Sequence, residues 1–315
     1  MILKKQGIIT IGDAFIDFFS TTSENDTFEK KLGGATVNVA VHISRFQIPS
    51  YYLTKLGTKE DSLFVRGEIE KEGVRLKYSV MDCNKELSAV HVHTGINGER
   101  QFHSYSNNTP DLVLKEQDIT LDAFHNKKIF YFGSGTLFHP EAKKTTEKAL
   151  NISKKMNLLV SFDANIRLQR WSSEKECRNV IKRLFHTIDI LKLSEEEVLF
   201  LFEVDTLEEG LKRLAEYRIP VVFITMGEKG AYGLLPNSLV HKKGEAIVAI
   251  DTNGAGDAFM AAILYCIHEE GMPTTAETLS ECLISGNILG GKVAEHVGSL
   301  PLLKDYRQII SSNMK

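Results

Sequence analysis

Short β-branched runs alternate along this chain with longer amphipathic segments, and this alternation restricts the possible folds more than any other feature. Five compact apolar runs are typical of strands buried on both faces: residues 8–11, 128–132, 158–162, 188–193 and 221–225. Helix-like stretches lie between them at residues 140–156, 175–187, 195–202 and 206–217. A repeated order of strand and helix predicts an α/β fold with a parallel sheet, helices on both faces and ligands beyond the carboxyl ends of the strands.

Two segments interrupt this rhythm with material typical of antiparallel strands, at residues 13–31 and at about 86–111. In the second segment, two stretches of alternating polar and apolar residues flank Asn97-Gly98, a strong hairpin turn. A polar hairpin in an α/β domain is either an extension of the sheet edge or a lid, and the periodicity alone leaves both open. Since the chain has no linker and no internal repeat, we expect residues 1–315 to form one domain with this small insertion.

The charge balance and the cysteine spacing exclude several classes of protein. The 38 basic and 41 acidic side chains give a formal net charge of −3, which argues against general binding of nucleic acid. The four cysteines form no CxxC or Cys/His cluster, so we expect neither a structural zinc site nor a disulfide framework. No apolar run approaches the ~18 residues of a membrane span, and the first residues lack a signal-peptide pattern. We therefore expect a cytoplasmic protein that does not bind a membrane.

A glycine-rich turn at residues 251–257 carries the clearest chemical signal. Apolar residues 247–250 lead into Gly254 and Gly256, and a helix-like run follows over residues 257–268. Two glycines let successive N–H groups converge, and the start of a helix favours an anion. Asp257 would lie beside a bound phosphate, where one suitable task is to accept a proton from the attacking hydroxyl. The alternative is that Asp257 only caps the helix, and the residues alone leave both interpretations open.

Two motifs resemble signatures of the ribokinase/PfkB family of carbohydrate kinases. DTNGAGDAF at residues 251–259 agrees with the family's C-terminal DTxGAGDxF signature at all seven defined positions. GGATVNVA at residues 33–40 resembles its N-terminal GGxxxNxA signature, and the resemblance covers about residues 7–302. It implies a three-layer α/β/α ribokinase-like fold with a small β-sheet lid, and ATP-dependent phosphorylation of a sugar. In relatives the lid often pairs with a second subunit, so the resemblance also implies a homodimer.

The resemblance assigns roles to residues of these motifs. Asp257 would be the general base, and the anion hole for the transferred γ-phosphoryl group would be formed by Gly254, Ala255 and Gly256. The residues that would hold sugar hydroxyls are Asp17, Gly33, Gly34 and Asn38. A carboxylate accepts from two hydroxyls and an amide both donates and accepts, which suits a polyol.

Two further elements resemble parts of the family that face the phosphates. Residues 163–167 resemble the DxNxR element of the fructokinase-like branch, in which Asn165 and Arg167 face the phosphates or the substrate. Residues 192–197 resemble the K-x-N-x-x-E element, so Lys192 would lie near the phosphates and Glu197 would act on Mg²⁺ through water. Here Ser194 replaces the usual Asn, and the acidic run could equally be the solvated first turn of a helix.

The nucleotide site would be completed near the end of the fifth strand. The family's TxGxxG element lies along the nucleotide phosphates, and it is matched here by Thr225, Gly227 and Gly230. Asn287 matches a position that often approaches the adenine.

The substrate follows from less specific features. Residues 163–171 and the opening GDAFIDFF resemble fructokinases, which makes fructose the first candidate, 2-keto-3-deoxygluconate the second, and ribose or a nucleoside the third. Ser106 stands near the place where typical fructokinases have an arginine. Glu295-His296 replaces the Gly-Ala of a loop that helps form a monovalent-cation site in several members, so activation by K⁺ is left open. A non-catalytic sugar-binding protein on the same fold is the alternative from another functional class.

Overall fold

A central sheet of eight strands organises the described part of the chain, which in this computed structural model covers residues 6–22, 24–94, 100–106 and 114–313. The strands are β1 (Gly7–Ile11), β2 (Phe15–Ser20), β3 (Phe28–Gly33), β4 (Ser50–Leu53), β5 (Lys55–Leu56), β6 (Val80–Met81), β7 (Ala89–Thr94), β8 (Arg100–Ser106), β9 (Lys127–Gly133), β10 (Leu159–Asp163), β11 (Ile190–Ser194), β12 (Val221–Thr225), β13 (Ala231–Leu235) and β14 (Ser238–Lys242). The α-helices are α1 (Ala35–Arg45), α2 (Glu60–Lys71), α3 (Leu121–Phe124), α4 (Pro140–Lys155), α5 (Glu174–Leu184), α6 (Glu195–Phe202), α7 (Leu207–Ala215), α8 (Ala255–Glu270), α9 (Ala276–Ala294) and α10 (Tyr306–Asn313).

The strand order of the central sheet is β14-β13-β12-β11-β10-β9-β1-β4. All pairings from β4 to β12 are parallel, and β13 and β14 add an antiparallel edge. The five strands predicted from the apolar runs are five consecutive neighbours, β12 to β1, which confirms the predicted parallel sheet. The prediction did not include β4, β13 and β14. Of these, β14 and β4 are the two edge strands, where one side has no neighbour and less apolar burial is required, and β13 pairs with β14 in the antiparallel end of the sheet.

Helices cover both faces of this sheet, because alternate side chains along each strand enter different cores. In β9, Phe130 and Phe132 pack in the core that is shared with α3, α4, α5, α6 and α7. Ile129 and Tyr131 pack in the opposite core, with α1, α8, α9 and α10. This alternation is the period-2 pattern of a strand buried on both sides, and it confirms the predicted three-layer fold. Within the described ranges, no helix is both long and apolar enough to cross a membrane.

A second sheet with the order β3-β2-β7-β8, here called the lid sheet, is built from the two segments that interrupt the rhythm. The pairs β2–β3 and β7–β8 are antiparallel as predicted, whereas β2 and β7 are parallel. The hairpin is therefore part of a separate sheet and does not extend the edge of the central one. Its inner side packs on α1 and α2 through apolar side chains such as Ile16 and Val37. The predicted turn at Asn97-Gly98 and residues 107–111 lie outside the described residues.

We predict that Phe162→Ala lowers the free energy of unfolding by about 3–5 kcal/mol. Phe162 is fully buried in the middle layer, and its ring centroid lies 4.9 Å from that of Phe132. Urea unfolding followed by circular dichroism measures the change. The matched control is Leu302→Ala, because Leu302 is 89% exposed, and we expect it to change stability by no more than about 0.5 kcal/mol. Equal effects of the two substitutions would contradict this account of the core.

Candidate active site

The carboxyl ends of the central strands form one edge of the sheet, and the predicted polar residues collect there. Strands β9, β10, β11 and β12 end at Gly133, Asp163, Ser194 and Thr225. The register pairs Asp163 with Gly133 and Lys192, and it pairs Ser194 with Thr225. Since ligands of parallel α/β sheets bind beyond this edge, the candidate site is built upward from it.

The glycine-rich turn lies at the start of α8. Gly254 is the residue before the helix and has φ 78°, a left-handed conformation that favours glycine. A Cβ atom at this position would also lie 2.4 Å from the Cβ of Ser299. Gly256 and Asp257 follow in the first helical turn, where backbone N–H groups have no partner within the helix and the dipole is positive. This end of α8 can therefore bind an anion such as a phosphoryl group.

Asp257 is held by a residue from the other end of the chain. The Asn38 amide nitrogen donates to Asp257 Oδ2 over 2.9 Å, and both side chains are buried. Asn38 lies one turn into α1, where its backbone N–H donates to the Gly34 carbonyl. The Asn38 amide oxygen is buried and accepts no hydrogen bond from a described residue, so it can accept from a ligand hydroxyl.

The protonation of Asp257 is suited to proton transfer near neutral pH. Burial raises its pKa from 3.8 to about 6, because the charged form is poorly solvated. The hydrogen bond from Asn38 and the positive charges of Lys192 and Arg167 oppose this increase. A carboxylate with a pKa of about 6 is ionised at pH 7 and still basic enough to accept a proton.

A buried ion pair supports the anion-binding turn from below. The Lys192 Nζ lies 3.1 Å from Asp163 Oδ1, and both residues are buried. A Cβ atom on Gly256 would lie 3.2 Å from the same Nζ, so the ammonium group is directly beside the turn. Burial lowers the pKa of Lys192, but the charges of Asp163, Glu197 and Asp257 outweigh it and raise the pKa above its usual value. Lys192 therefore remains a cation at the place where a phosphoryl group would bind.

The other predicted glycine pair forms a turn between the lid sheet and α1. Gly34 precedes α1 with φ 114°, so the left-handed conformation requires glycine. A Cβ atom on Gly33 would lie 2.2 Å from Asp17 Oδ2, so only a glycine lets the Asp17 carboxylate occupy this position. Burial raises the pKa of Asp17 to about 6. The turn and Asp17 together present a carboxylate and close backbone groups, as a polyol requires.

Glu197, in the first turn of α6, has a structural role. Glu197 Oε2 accepts from the Ser194 N–H over 2.8 Å, and Ser194 Oγ accepts from the Glu197 N–H over 3.2 Å. Glu197 Oε1 also accepts from the Ile166 N–H over 2.6 Å. The side chain thereby caps the helix and fixes the loop after β10, in place of a solvated first turn. In the same loop Asn165 has φ 35° and Arg167 is exposed.

The predicted nucleotide-side glycines lie between β12 and β13. Gly227 and Gly230 have φ values of 56° and 90°, and the Thr225 hydroxyl donates to the Leu193 carbonyl over 3.4 Å. The Asn287 amide donates to the Lys242 carbonyl over 3.0 Å, which ties α9 to the end of β14. The Asn287 amide therefore contacts the protein backbone, beside the part of the sheet where the nucleotide is predicted to bind.

Two loops that fix the glycine-rich turn were not predicted to matter. The Asp251 carboxylate accepts from the N–H groups of Asn253 and Gly298 over 3.0 and 2.9 Å. His42 Nε2 lies 3.2 Å from the Ser299 carbonyl oxygen, and burial lowers the pKa of His42 to about 3. The contacts of Asp251 with Gly298 and of His42 with Ser299 join residues more than 40 positions apart, so no local pattern in the sequence could have indicated them.

The predicted residues fall into three groups in space. The Asn38 and Asp257 side chains meet by a hydrogen bond beside the turn of Gly254, Ala255 and Gly256, and the Lys192 ammonium group lies next to this turn. A second group joins Asp17 to Gly33 and Gly34, one helical turn from Asn38. A third group lies over β11 to β13 and contains Thr225, Gly227, Gly230 and Asn287. Chemically, the first group can deprotonate a hydroxyl beside a bound anion.

Comparisons with known proteins agree with this arrangement. The family model described as pfkB family carbohydrate kinase matches residues 5–304. A probable fructokinase-5 of Arabidopsis thaliana is 30% identical over 318 aligned residues, covering 98% of each chain. A fructokinase of Vibrio cholerae O395, solved with fructose, ADP and calcium, superimposes with a TM-score of 0.83 at 26% identity and covers 99% of this chain and 100% of its own. An aminoimidazole riboside kinase of Salmonella enterica shares the fold, with a TM-score of 0.83 and 21% identity over 96% of this chain and 99% of its own.

We predict that Asp257→Asn raises the free energy of unfolding at pH 8. The folded-state pKa of about 6 exceeds the usual 3.8, so the stability contribution of Asp257 is full below pH 3.8 and is lost as the pH rises through 6. The difference between these pKa values corresponds to about 3 kcal/mol at pH 8, on an order-of-magnitude scale. Asparagine is neutral at every pH and its amide oxygen can still accept from Asn38.

Urea unfolding of both proteins at pH 8 and pH 4 measures this gain. We expect it to shrink toward zero at pH 4, where the native carboxyl group is protonated. Glu228→Gln is the control, because Glu228 is an exposed acid. A gain that is equal at both pH values would contradict the assignment of the effect to the buried charge.

Proposed function

The chain belongs to the pfkB family of carbohydrate kinases, and on that premise we propose that the protein transfers the γ-phosphoryl group of ATP to a hydroxyl group of fructose. The observation that carries the proposal is the buried Asp257 beside the glycine-rich N-terminus of α8, held by Asn38. The choice of fructose is supported by relatives that are named as fructokinases and that align with nearly the full chain. The fructokinase structure that contains fructose and ADP supports it further.

In the proposed mechanism, Asp257 accepts the proton of the attacking sugar hydroxyl. The Asn38 amide fixes the carboxylate through Oδ2, so its other oxygen can face the substrate. A base positioned in this way contributes ~10²–10⁴-fold to the rate. The proton moves from the sugar oxygen to Asp257 as that oxygen forms its bond to phosphorus and ADP leaves.

The turn at Gly254, Ala255 and Gly256 stabilises the charge on the transferred group. The N–H groups of the first turn of α8 point toward the anion, and the Lys192 ammonium lies directly beneath Gly256. Each well-placed donor of such an anion hole is worth ~10²–10³-fold in rate. Because Asp163 neutralises Lys192 in the free protein, the ion pair holds the cation in place without a large rearrangement on binding.

The sugar is bound by the groups on the lid side of Asp257. Asp17, Gly33, Gly34 and Asn38 are proposed to hold its hydroxyl groups. Arg167 is exposed above the same edge, and its charge lowers the pKa of Asp257. We propose that it contacts the substrate or the transferred phosphoryl group. Closure of the lid sheet would exclude water, which otherwise competes as acceptor.

The nucleotide is proposed to lie over the third group of residues. Thr225, Gly227 and Gly230 would follow its phosphates, together with Asn165 and Lys192. Asn287 holds the end of β14 and so shapes the adenine side of the site.

The site fits Mg²⁺ that retains much of its water. Each carboxylate oxygen of Glu197 accepts one backbone N–H, which leaves a lone pair on each for a metal-bound water. No group of three or more metal-binding side chains occurs among the described residues, which agrees with a cation held mainly by phosphates and water. When bound, Mg²⁺ would neutralise the charge of the polyphosphate.

Internal hydrogen bonds hold the loop that the sequence left open for a monovalent cation. The Asp251 carboxylate accepts from two backbone N–H groups, and the Ala294 carbonyl accepts from the N–H groups of Ile250 and Asp251. Glu295 is paired with Lys292 over 2.9 Å. Each Asp251 oxygen accepts one of these N–H groups and has two lone pairs, as the Glu197 oxygens do, so these bonds leave activation by K⁺ open.

The assembly and compartment are proposals of the same kind. We propose one kinase domain over residues 1–315 that forms a homodimer through the lid sheet, whose strands are β3, β2, β7 and β8. We also propose a cytoplasmic location, because all four cysteines are free thiols, as in a reducing compartment. Size-exclusion chromatography with light scattering tests the dimer.

We predict that the protein forms ADP in the presence of fructose, and that Asp257→Asn lowers kcat by ~10²–10⁴-fold. ADP formation is measured with Mg-ATP and fructose, 2-keto-3-deoxygluconate or ribose. Fructose binding, followed by calorimetry, should persist in the variant because the amide retains the shape of the side chain. Glu147→Gln is the control with an unchanged kcat, because Glu147 is an exposed acid of α4, outside the proposed site.

Other results of this panel distinguish the alternatives. Faster turnover of 2-keto-3-deoxygluconate or ribose would replace fructose as the substrate. Sugar binding without any sugar-dependent ADP formation by the wild-type protein would support the non-catalytic alternative. A variant with near-normal kcat would show that Asp257 is not the base.

We predict that kcat rises with pH through about 6 and is constant above about pH 7.5. The base must be ionised, and burial places its pKa at about 6. Asn38→Leu removes the hydrogen bond that lowers this pKa, so the rise should move to higher pH. The profile is measured between pH 5 and 9 at saturating fructose and ATP. An unchanged profile in Asn38→Leu would contradict the role of this hydrogen bond.

A further inference from the structure

Four lysines of the described chain are buried, and one of them lacks the kind of partner that the other three have. Lys192 pairs with Asp163, and Lys55 Nζ lies 2.8 Å from Asp82 Oδ2. Lys127 donates to the His125 carbonyl and lies over the Tyr51 ring at 3.9 Å. The fourth lysine, Lys85, is only 4% exposed, and among the described residues none forms a hydrogen bond or an ion pair with its ammonium group.

Lys85 lies on the lid side of the candidate sugar site. It comes four residues before the lid strand β7, and the intervening Ser88 carbonyl accepts from the N–H of Ile16 in β2. Burial lowers the pKa of Lys85, and the negative charge of Asp13 opposes this decrease. The Asp13 carbonyl lies 2.8 Å from the position that a Cβ atom on Gly34 would occupy. Lys85 and Asp13 therefore flank the glycine turn proposed to hold the sugar.

The aromatic ring of Phe15 and a second cation, Arg170, lie near the same turn. The Phe15 ring is 3.1 Å from the Cβ position of Gly34, and Phe15 is paired with Gly33 across β2 and β3. The Arg170 guanidinium lies 5.8 Å from the centroid of Phe15 and 4.3 Å from that of Phe138. Its positive charge, with that of Lys55, acts on Lys85 and disfavours a further cation there.

An unpartnered buried ammonium group lowers the stability of the free protein. Burial is the largest influence on Lys85 and lowers its pKa, because the charged form loses its hydration. Buried charges are usually paired, because an unpaired one destabilises the folded state. A ligand that brings oxygen atoms to this ammonium group would recover that cost, so the arrangement favours a function in binding over a function in folding.

The surrounding charges favour a neutral ligand over an acid. Three carboxylates, those of Asp13, Asp17 and Asp257, lie on the segments that meet at the Gly33–Gly34 turn. A sugar acid or a sugar phosphate would add negative charge beside all three. A neutral polyol offers lone pairs to Lys85 and hydroxyl protons to Asp13 and Asp17, so each charged group obtains a partner.

We infer that Lys85 is a specificity-determining residue, whose ammonium group donates hydrogen bonds to hydroxyl oxygens of a neutral sugar in the pocket beside Asp13 and the Gly33–Gly34 turn. This inference rests on the proposed sugar kinase function and adds the residue that selects the acceptor. Removing a hydrogen bond to a charged group corresponds to about ten- to hundredfold in affinity.

The experiment compares Lys85→Met with Lys55→Met in the full-length protein. Both substitutions remove a buried ammonium group and retain an unbranched side chain, but Lys55 is paired with Asp82. For Lys85→Met we expect the KM for fructose to rise at least tenfold, with kcat within threefold and the KM for ATP unchanged. For Lys55→Met we expect an unchanged KM for fructose.

Thermal unfolding gives a readout that a structural role would not produce. Without ligand, Lys85→Met should have a higher melting temperature than the wild type, because an unpaired charge is removed. Lys55→Met should have a lower one, because Asp82 loses its partner. Saturating fructose should raise the melting temperature of the wild type and of Lys55→Met, and should raise that of Lys85→Met much less at the same concentration.

Three outcomes would overturn the inference. The first is an unchanged KM for fructose in Lys85→Met, with wild-type turnover intact. The second is a lower melting temperature of Lys85→Met without ligand, which would show that Lys85 supports the fold. The third is a wild-type preference for 2-keto-3-deoxygluconate or fructose 6-phosphate that Lys85→Met abolishes, because Lys85 would then pair with an acidic group. A wild-type protein that turns over none of these sugars would instead contradict the proposed function itself.

Discussion

The hydrogen bond between Asn38 and Asp257 lies where the N-termini of two helices meet, and the rest of the site depends on that meeting. The two residues are 219 positions apart in the chain, so only the complete sheet brings α1 and α8 together. Gly34 and Gly254 precede these helices, and their positive φ angles turn the chain sharply into each helix. A side chain at either position would be strained and would collide with neighbouring atoms, so neither helix start could keep its place.

Burial gives the site its chemistry and reduces the stability of the fold. The pKa values of Asp17 and Asp257 are both raised to about 6, because their carboxylates are removed from water. Burial also raises the pKa of Asp163, whereas the positive charge of Lys192 lowers it. A fold selected for stability alone would replace such groups with apolar ones. Their presence around one anion-binding helix end is the physical signature of a reaction site.

The sequence predicted the parts of the structure that local patterns determine. The five neighbouring parallel strands follow from compact apolar runs, and the helix after the glycine-rich turn follows from the helix-like run at residues 257–268. The edge strand β14 was missed, because Ser238–Lys242 alternates between half-buried and exposed positions and lacks a continuous apolar run. Glu197 was recognised as important, but its bond to the Ile166 N–H group depends on a loop 31 residues earlier in the chain. Lys85 gave no signal, since its lack of a partner is a property of the folded pocket.

Helix α10 helps to fix the glycine-rich turn through hydrogen bonds, although the helix itself is not part of the site. Ser299 packs against Gly254, and its carbonyl oxygen can only accept, so His42 Nε2 carries the proton. His42 Nδ1 must then accept from the hydroxyl of Tyr306 in α10, 2.9 Å away, while Arg45 donates to the same hydroxyl oxygen. Since the pKa of His42 is about 3, the imidazole stays neutral across the working pH and the direction of each bond is preserved. The anion-binding turn is thereby fixed from the side opposite to the ligand by a chain of hydrogen bonds that does not titrate when Asp257 does.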